Sequence, residues 1–261
     1  MAALKKAVKE LAGSLGYDVI RKNGGGTADL TRGVVARFRK HGQDIALFVD
    51  DEWDYIQGHH LKGHFYEEEE LGLIGRHLRG GVLVDVGANI GNHTVYALKL
   101  LGVDKVIAFE PNPAAARLLQ INLALNGLSG KVDHRLAGLS DRSAVGQLVA
   151  PGHKDLGSTR VTVGGGASAP GDRACRVMTG DEALAGEPRI DMIKIDTEAM
   201  ELKVLAGLQH TLERHRPKLF VEVDDANRAT FLALAQRLGY EVADSHRRYA
   251  TNCNYLLTPR S

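Results

Sequence analysis

The chain has 261 residues, a formal net charge of +1 and 44% hydrophobic residues. This length suits one large α/β domain, or one domain with a small extension, and the composition excludes a wholly disordered chain. A net charge so close to zero does not predict a protein that binds the phosphate backbone of nucleic acids. Cys175 and Cys253 are too few for a disulfide framework and lack zinc-site spacing, which favours a reducing compartment.

The first twenty residues predict an amphipathic helix rather than a signal peptide. Leu4, Val8, Leu11 and Leu15 recur at helical spacing, and no continuous apolar stretch follows the lysines. No segment approaches the run of about twenty apolar residues that a membrane-spanning helix needs. We therefore expect a soluble, cytoplasmic protein.

Residues 1–80 are predicted to form an N-terminal extension of helices and a strand. Residues 44–50 (DIALFVD) are typical of a strand. Residues 66–78 (YEEEELGLIGRHL) predict a helix, because acids crowd its start and basic residues lie at its end. This extension is a candidate lid for the domain that follows, at residues 81–261.

From residue 82 onward, apolar strand runs alternate with helical runs. This alternation predicts an α/β fold with a mostly parallel sheet covered on both faces. The last two strands have no helix between them, so we expect an antiparallel hairpin at the C-terminus. The predicted strands are 82–87, 105–111, 131–138, 190–197, 218–223, 240–244 and 252–259.

Residues 139–180 interrupt the alternation of strands and helices and are interpreted as an insertion. Residues 145–150 and 158–163 predict short strands, and the glycine-rich residues 164–172 predict a loop. An insertion near the carboxyl ends of parallel strands can face a substrate. A surface insertion without a function is an equally weighted alternative.

The stretch LVDVGANIGNHT, residues 83–94, predicts a ligand-binding turn after the first core strand. Gly87 and Gly91 permit a tight turn, but their spacing does not fit the Gly-x-Gly-x-x-Gly pattern of dinucleotide-binding proteins. Asp85 would repel a diphosphate and suits a ligand with an ammonium group. Glu110 follows the next strand, where an acid commonly binds ribose hydroxyls. Together these features favour S-adenosylmethionine, whereas an aspartate that merely caps its own turn is the alternative.

Several further motifs occur in an order that resembles the FkbM-type methyltransferase family. They are VDVGANIGNHT, AFEPNP, INLALNG, AGLSDRSA, IKIDTEAMELKVLAG and KLFVEV, and they cover about residues 60–258. The resemblance implies a Rossmann-like, seven-stranded class I methyltransferase. It also implies that S-adenosylmethionine is converted to S-adenosylhomocysteine while a hydroxyl on a sugar, glycan or polyketide is methylated.

The resemblance also assigns roles to individual residues. Asp196 and Glu198 would face the transferred methyl group. Independently of the resemblance, Tyr66 precedes the turn and is expected to fold over the cofactor or the acceptor. The remaining implied cofactor contacts are Asp85, Gly87, Asn89, Gly91 and Asn92 in the turn, Glu110 and Asn112 near the ribose, and Ala137, Ser140 and Asp141 near the adenine.

One position departs from the family pattern. The family commonly has a glycine after the glutamate that corresponds to Glu198, whereas this chain has Ala199. Alanine fills more space than glycine and disfavours a positive φ. The change would reshape the substrate side, or have no effect if residue 199 is helical.

A hydroxyl is a poor nucleophile until a general base removes its proton. Asp196, Glu198 and Glu222 follow neighbouring strands, and clustered carboxylates raise one another's pKa toward neutrality. Lys194 lies two residues before Asp196 on a strand, so it shares that face and could balance the charge. A divalent metal held by the same three acids is a less favoured alternative.

Other side chains near the predicted site have less specific interpretations. We interpret Trp53 and Tyr55 as core residues rather than an acceptor platform. His93 is interpreted as exposed or near the methionine carboxylate rather than as a base. Arg247 and Arg248 are interpreted as a solvated basic tip of the terminal hairpin.

O-methylation of a small molecule or glycan is the leading hypothesis. A ribose-hydroxyl methyltransferase acting on nucleic acid, a nicotinamide-dependent oxidoreductase and a non-catalytic cofactor-binding module are the alternatives. We expect no stable nucleic-acid partner. The sequence names neither the acceptor nor the oligomeric state, a homodimer included.

Overall fold

The computed structural model describes residues 17–19, 33–149, 159–163 and 173–260. The four apolar residues that predict the N-terminal helix and the predicted loop at 164–172 lie outside these ranges. At Tyr17–Val19 the helix prediction is wrong, because these residues form a strand that pairs antiparallel with residues 34–36. Tyr17 and Val19 suit a strand, and pairing with a neighbouring strand satisfies their backbone groups.

Fourteen strands occur within the described residues. They are β1 (Tyr17–Val19), β2 (Val34–Lys40), β3 (Gln43–Val49), β4 (Val82–Val86), β5 (Lys105–Phe109), β6 (Val132–Arg135), β7 (Gly138–Ser140), β8 (Ala144–Val149), β9 (Arg160–Val163), β10 (Arg173–Thr179), β11 (Met192–Ile195), β12 (Lys218–Asp224), β13 (Tyr240–His246) and β14 (Asn252–Pro259).

The same ranges contain eight α-helices, and none of these is long and apolar enough to cross a membrane. They are α1 (Tyr55–Leu61), α2 (Glu68–His77), α3 (Asn92–Leu100), α4 (Pro113–Leu125), α5 (Gly180–Leu184), α6 (Glu201–Ala206), α7 (Gln209–His215) and α8 (Arg228–Arg237).

Seven strands form the central sheet, in the order β13-β14-β12-β11-β4-β5-β6. All neighbours from β12 to β6 pair in parallel, and β14 pairs antiparallel with both β12 and β13. The predicted mostly parallel sheet with a C-terminal hairpin is confirmed. The order reverses direction at β4, so the turn after β4 lies at the switch point where such sheets bind ligands.

Alternate residues of the central strands enter two separate cores. Val84 and Val86 of β4 pack in one buried cluster, whereas Leu83 packs in the other. This alternation follows from the two-residue period of a strand. Because β4 and β11 are neighbours in register, Asp85 and Lys194 lie opposite each other on one face.

The helix predicted after β11 is interrupted. Residues 200–216 form α6 and α7 rather than one helix, and Gly207 ends α6. A Cβ on Gly207 would lie 2.0 Å from the carbonyl oxygen of Ser140. The close approach of β7 to this point therefore requires glycine, which also favours the end of the helix.

The N-terminal hairpin is joined to the main sheet through α4. Strands β2 and β3 are connected by the turn at His41 and Gly42, which have φ values of 47° and 80°. The side-chain oxygens of Asn122 and Asn126 accept hydrogen bonds from the N–H groups of Phe48 and Ala46, at 2.7 and 3.1 Å. These bonds to backbone groups of β3 fix the position of the hairpin on the domain.

The insertion forms a second small sheet, in the order β7-β10-β8-β9. The predicted short strands within residues 145–150 and 158–163 correspond to β8 and β9. The single strand predicted over 131–138 is instead divided, because β6 ends at Arg135 and β7 joins the second sheet. The insertion therefore continues directly from the edge of the main sheet.

Candidate active site

A cavity of about 250 Å³ lies where four parallel strands of the main sheet end. Val86 of β4, Phe109 of β5 and Glu222 of β12 contribute to its wall, together with Asp196, which follows β11. The remaining walls come from the N-terminal extension, the insertion and the terminal hairpin. These walls include Tyr55, Ile56, Tyr66, Glu67, Thr159, Val161, Tyr249 and Asn252.

The turn after β4 brings its backbone close to β11. Gly87 has a φ of 81°, and a Cβ there would lie 1.8 Å from the carbonyl oxygen of Asp196. Gly91 has a φ of 90°, and its Cβ would lie 2.5 Å from Leu119. Only glycine fits these two positions. Gly87 allows the turn to lie against the end of β11, and Gly91 allows it to lie against α4.

Glu110 closes the same turn from β5. Its two carboxylate oxygens each accept a backbone N–H at 2.8 Å, from Asn89 and from Asn112. Burial raises the pKa of Glu110 to about 7, although the two N–H donors oppose the shift. Asn89 also has a side-chain oxygen that is buried without a hydrogen-bond partner among the described residues. This oxygen is an acceptor beside the cavity.

Asp85 is fully buried behind the turn and does not line the cavity. Its carboxylate lies 3.3 Å from the ammonium of Lys194 and accepts a 2.7 Å hydrogen bond from the Thr94 hydroxyl. Lys194 also lies 3.2 Å from Asp196 and donates to the carbonyl oxygen of Gly87 at 3.0 Å. The predicted shared face of Lys194 and Asp196 is confirmed.

The charge of Lys194 is stabilised by the acids around it. Burial disfavours the ammonium, but Asp196 and Asp85 outweigh burial and raise the pKa of Lys194 above its ordinary value. Burial likewise disfavours the Asp196 carboxylate, yet Lys194 holds its pKa below the ordinary value. Both groups are therefore ionised near neutral pH.

Glu222 and Glu67 face this ionised pair. Burial, followed by repulsion from Asp196 and Glu67, raises the pKa of Glu222 to about 10. A hydrogen bond joins Glu222 and Asp196, and the Asn252 amide donates to Oε1 of Glu222 at 2.8 Å. Burial, followed by Asp196 and Glu70, raises the pKa of Glu67 to about 8. The two glutamates are therefore protonated near neutral pH.

The residues after Asp196 form a turn with left-handed backbone. Glu198 and Ala199 have φ values of 55° and 78°. One carboxylate oxygen of Glu201 accepts from the N–H and hydroxyl of Thr197 and from the N–H of Ala199, at 3.0 to 3.1 Å. Ala199 is thus not helical, and it adopts the conformation for which glycine is favoured.

The N-terminal extension covers the cavity through Tyr66. Asn92 clamps its backbone, since the Asn92 amide accepts from the N–H of Tyr66 at 3.0 Å and donates to its carbonyl oxygen at 2.9 Å. The hydroxyl groups of Tyr66 and Tyr249 lie 2.9 Å apart. Tyr55 packs edge-on against Tyr66. Three tyrosines therefore form an aromatic wall opposite the strand ends.

The lining of the cavity is strongly acidic. None of the described residues that line it is a lysine, an arginine or a histidine. Five carboxylic acids line it: Glu67, Glu110, Asp196, Glu198 and Glu222. Such a lining disfavours phosphates, and its protonated carboxyl groups can ionise when a cation binds. In the described part of the chain, no group of three or more histidine, cysteine, aspartate or glutamate residues is arranged to hold a metal ion.

The predicted site residues divide into two groups. Those that line the cavity are Tyr66, Gly87, Asn89, Glu110, Asp196, Glu198 and Glu222. Those that do not are Asp85, Gly91, Asn92, Asn112, Ala137, Lys194, Ser140 and Asp141. For the residues of this second group, the cofactor contacts that the resemblance implies stay predictions.

Protein contacts already engage most side chains of the second group. The Asn112 side chain caps α4, accepting a 3.0 Å hydrogen bond from the N–H of Ala114. The Ser140 hydroxyl donates to Asp141 at 3.0 Å. Gly138 and Leu139, between Ala137 and Ser140, line the cavity instead.

The interpretations of Trp53, Tyr55 and Arg248 are wrong. For His93, exposure is wrong, whereas a position near the methionine carboxylate stays a prediction. Trp53 and Tyr55 are 76% and 55% exposed and are not core residues. His93 is buried rather than exposed, and burial lowers its pKa to about 4. Arg248 is not a solvated tip, because its guanidinium binds both carboxylate oxygens of the buried Glu70 at 2.6 Å.

Glu67, Tyr249 and Asn252 line the cavity, although no sequence pattern predicts this. The run of acids at residues 67–70 predicts only charges at a helix N-terminus. Glu67 differs from its neighbours in having a φ of 59° and a ψ of 45°, which turns it toward the cavity before α2 begins. No local sequence signal marks this conformation for a glutamate.

Comparison with known proteins identifies the family. A family model described as "Methyltransferase FkbM domain" matches residues 85–257. The chain belongs to the FkbM methyltransferase family. The resemblance inferred from the motifs is confirmed, and the protein is a methyltransferase.

Two curated relatives and one solved structure illustrate the similarity. The "31-O-demethyl-FK506 methyltransferase FkbM" of Streptomyces tacrolimicus is 29% identical, covering 62% of this chain and 74% of its own. The "Hexuronic acid methyltransferase AglP" of Haloferax volcanii is 32% identical, covering 51% of this chain and 52% of its own. The crystal structure of methyltransferase FkbM from Methylobacillus flagellatus KT superposes with a TM-score of 0.50 and 19% identity, covering 77% of this chain and 52% of that one. This last match supports the predicted class I fold.

Proposed function

We propose that this FkbM-family enzyme transfers a methyl group from S-adenosylmethionine to a hydroxyl group of a sugar or another small molecule. The observation that carries the proposal is the acidic cavity at the strand ends, which lacks basic side chains among its described lining residues. Two relatives support the acceptor class, since their names specify 31-O-demethyl-FK506 and a hexuronic acid as substrates.

The residues at the ends of β4 and β5 fit S-adenosylmethionine. This molecule carries a sulfonium, an ammonium and a ribose but no phosphate. Glu110 and the unpartnered side-chain oxygen of Asn89 are acceptors suited to ribose hydroxyls. The acidic lining suits the two cationic groups and disfavours both a dinucleotide and a nucleic-acid backbone.

Asp85 would act on the cofactor indirectly. Its carboxylate holds Lys194, and Lys194 holds Asp196 and the Gly87 carbonyl. The proposed role of these linked contacts is to keep the turn after β4 and the carboxylate after β11 in fixed relative positions. Such a role fits positioning residues that are themselves buried and fully engaged.

The acceptor would bind on the opposite side, against the tyrosines and Glu222. S-adenosylmethionine supplies a methyl group on a positively charged sulfur. Asp196, which Lys194 keeps ionised, offers negative charge near that group. Asn252 has a buried side-chain oxygen that lacks a partner among the described residues, and this oxygen can accept a hydrogen bond from the acceptor. Residues 55–67 would close this side as a lid.

Calorimetry and a transfer assay test the proposal. We expect S-adenosylmethionine to bind with micromolar affinity and NAD to show no binding. A screen of hydroxylated metabolites and glycans for transfer of a radiolabelled methyl group then identifies the acceptor. Binding of NAD in place of S-adenosylmethionine contradicts the proposal.

A further inference from the structure

Glu67 is held at the cavity by a constrained backbone. A left-handed conformation at a residue other than glycine costs about 1 kcal/mol or more, so the surroundings must enforce it. The Asn92 clamp on Tyr66 fixes the preceding residue, and the carbonyl oxygen of Glu67 accepts the N–H of Leu71 at 2.9 Å to start α2. Glu67 is 9% exposed and lines the cavity. These contacts fix Glu67 in position before any ligand binds.

The cationic groups near Glu67 are already engaged by other acids. Lys194 contacts Asp85 and Asp196, and Arg248 is bound bidentately by Glu70. The His93 ring lies 3.7 Å from Glu67, but burial lowers its pKa to about 4, so it is neutral at pH 7.

The other titratable groups that face these carboxyl groups are acids and tyrosines. Glu67 faces Asp196, Glu70, Tyr66 and Tyr249. Glu222 faces Asp196, Glu67 and Glu198. A cation that enters the cavity therefore meets more carboxyl groups than the protein's own cations can balance.

We propose that Glu67, Asp196 and Glu222 form a cation subsite for the sulfonium, which releases a proton when the sulfonium binds and takes one back on Glu67 from the acceptor hydroxyl. This inference rests on the proposed function and adds Glu67 as a catalytic residue. The pKa values of about 8 for Glu67 and about 10 for Glu222 support it, because both carboxyl groups hold a proton to release near pH 7.

The charge and the atoms balance through one turnover. On binding, a positive charge enters and one proton leaves the pair of Glu67 and Glu222 carboxyl groups, which leaves Glu67 ionised because it holds its proton less firmly than Glu222. On transfer, the acceptor oxygen forms a bond to the methyl carbon, and the bond between that carbon and sulfur breaks. The electron pair of the broken bond stays on sulfur, which becomes a neutral thioether. The acceptor proton passes to the Glu67 carboxylate, so the cavity keeps its net charge.

Glu67 suits the role of base better than its neighbours. Asp196 is held ionised by Lys194 and is a weak base for that reason. Glu222 holds its proton more firmly than Glu67 and uses hydrogen bonds to Asp196 and Asn252. A catalytic base works best when its pKa lies near the working pH, which among these three describes Glu67.

Proton release can be measured without any acceptor. Titration calorimetry of the whole protein near pH 7, in two buffers of different ionisation enthalpy, counts the protons released on binding. S-adenosylmethionine and S-adenosylhomocysteine form a matched pair of ligands that differ by the methyl group and its positive charge. We expect S-adenosylmethionine to release about one proton more than S-adenosylhomocysteine.

Variants show which carboxyl group releases the proton. Glu67→Gln and Glu222→Gln each remove one carboxyl group at nearly constant volume, and each is expected to reduce the difference between the two ligands. Glu213→Gln is the matched control, because Glu213 is exposed on α7 and does not line the cavity. It should leave the difference unchanged.

Each outcome decides a separate question. Equal proton release by the two ligands overturns the inference while leaving the proposed function intact. An unchanged difference in a folded Glu67→Gln overturns the role of Glu67. If Glu67→Gln does not fold, the wild-type comparison and Glu222→Gln still test the subsite. Absence of S-adenosylmethionine binding overturns the proposed function and the inference with it.

Discussion

The ammonium of Lys194 lies 3.3 Å from the carboxylate of Asp85 on the neighbouring parallel strand, and both side chains are almost completely buried. Lys194 also contacts Asp196 at 3.2 Å and the Gly87 carbonyl at 3.0 Å. One lysine thus joins the glycine turn of β4 to the carboxylate after β11. A buried charge network of this kind needs every member, because an unpaired buried charge is costly.

Replacement of Lys194 by methionine should therefore lower stability strongly. Lys194→Met leaves the buried Asp85 carboxylate and the partly buried Asp196 carboxylate without their cation. We expect the free energy of unfolding to fall by about 3–5 kcal/mol. Urea unfolding at neutral pH measures the change.

Two controls separate charge imbalance from lost packing. The double variant Lys194→Met, Asp85→Asn should recover part of the loss, because Asp85 no longer carries a charge. Arg247→Met removes one member of the exposed pair with Asp225 and should change stability little. A double variant as unstable as Lys194→Met would argue that packing, not charge, explains the result.

Glu110 should control cofactor affinity. In Glu110→Gln, one of the two N–H groups from Asn89 and Asn112 would face an amide donor instead of an oxygen. We expect the affinity for S-adenosylmethionine to fall at least about tenfold, which corresponds to about 1.4 kcal/mol. Calorimetry measures it, with Glu241→Gln on the exposed face of β13 as the control. An unchanged affinity in a folded variant would rule out Glu110 as a ribose contact.

The order of strands and helices could be predicted because the main sheet is parallel and covered on both faces. Continuous apolar runs gave β4, β5, β11 and β12 to within two residues of their observed ends. The shared face of Lys194 and Asp196 followed from the period of a strand. The division of α6 from α7 could not be predicted, because it depends on the approach of Ser140 to Gly207.

The details of the cavity depend on contacts between distant segments. The Asn92 amide holds the backbone of Tyr66, 26 residues away in the chain, which no sequence pattern predicts. The position of Glu67 at the cavity could not be predicted, because it depends on a left-handed backbone that local preferences disfavour. Functional sites commonly depart from local preference in this way.

Ala199 provides a test of backbone strain. Its φ of 78° disfavours alanine by about 1 kcal/mol, whereas glycine adopts this conformation freely. Glycine also adds entropy to the unfolded chain, which favours unfolding, but relief of the strained φ offsets this loss. We therefore expect Ala199→Gly to keep or raise the free energy of unfolding. Ala233→Gly, at an exposed position within α8, should lower it by about 1 kcal/mol. Equal losses in the two variants would show that residue 199 is not strained.

The raised pKa of Glu222 predicts how stability depends on pH. Its carboxyl group has an ordinary pKa of 4.5 in the unfolded chain and a pKa of about 10 in the folded protein. Between these values the folded state holds a proton that the unfolded state has lost, so rising pH favours unfolding. Glu222→Gln imitates the protonated form and removes this penalty. We expect the variant to exceed the parent in stability by more than about 1 kcal/mol near pH 8, and to match it near pH 4. Urea unfolding at the two pH values checks this, and the same difference at both would mean that ionisation of Glu222 is not the cause.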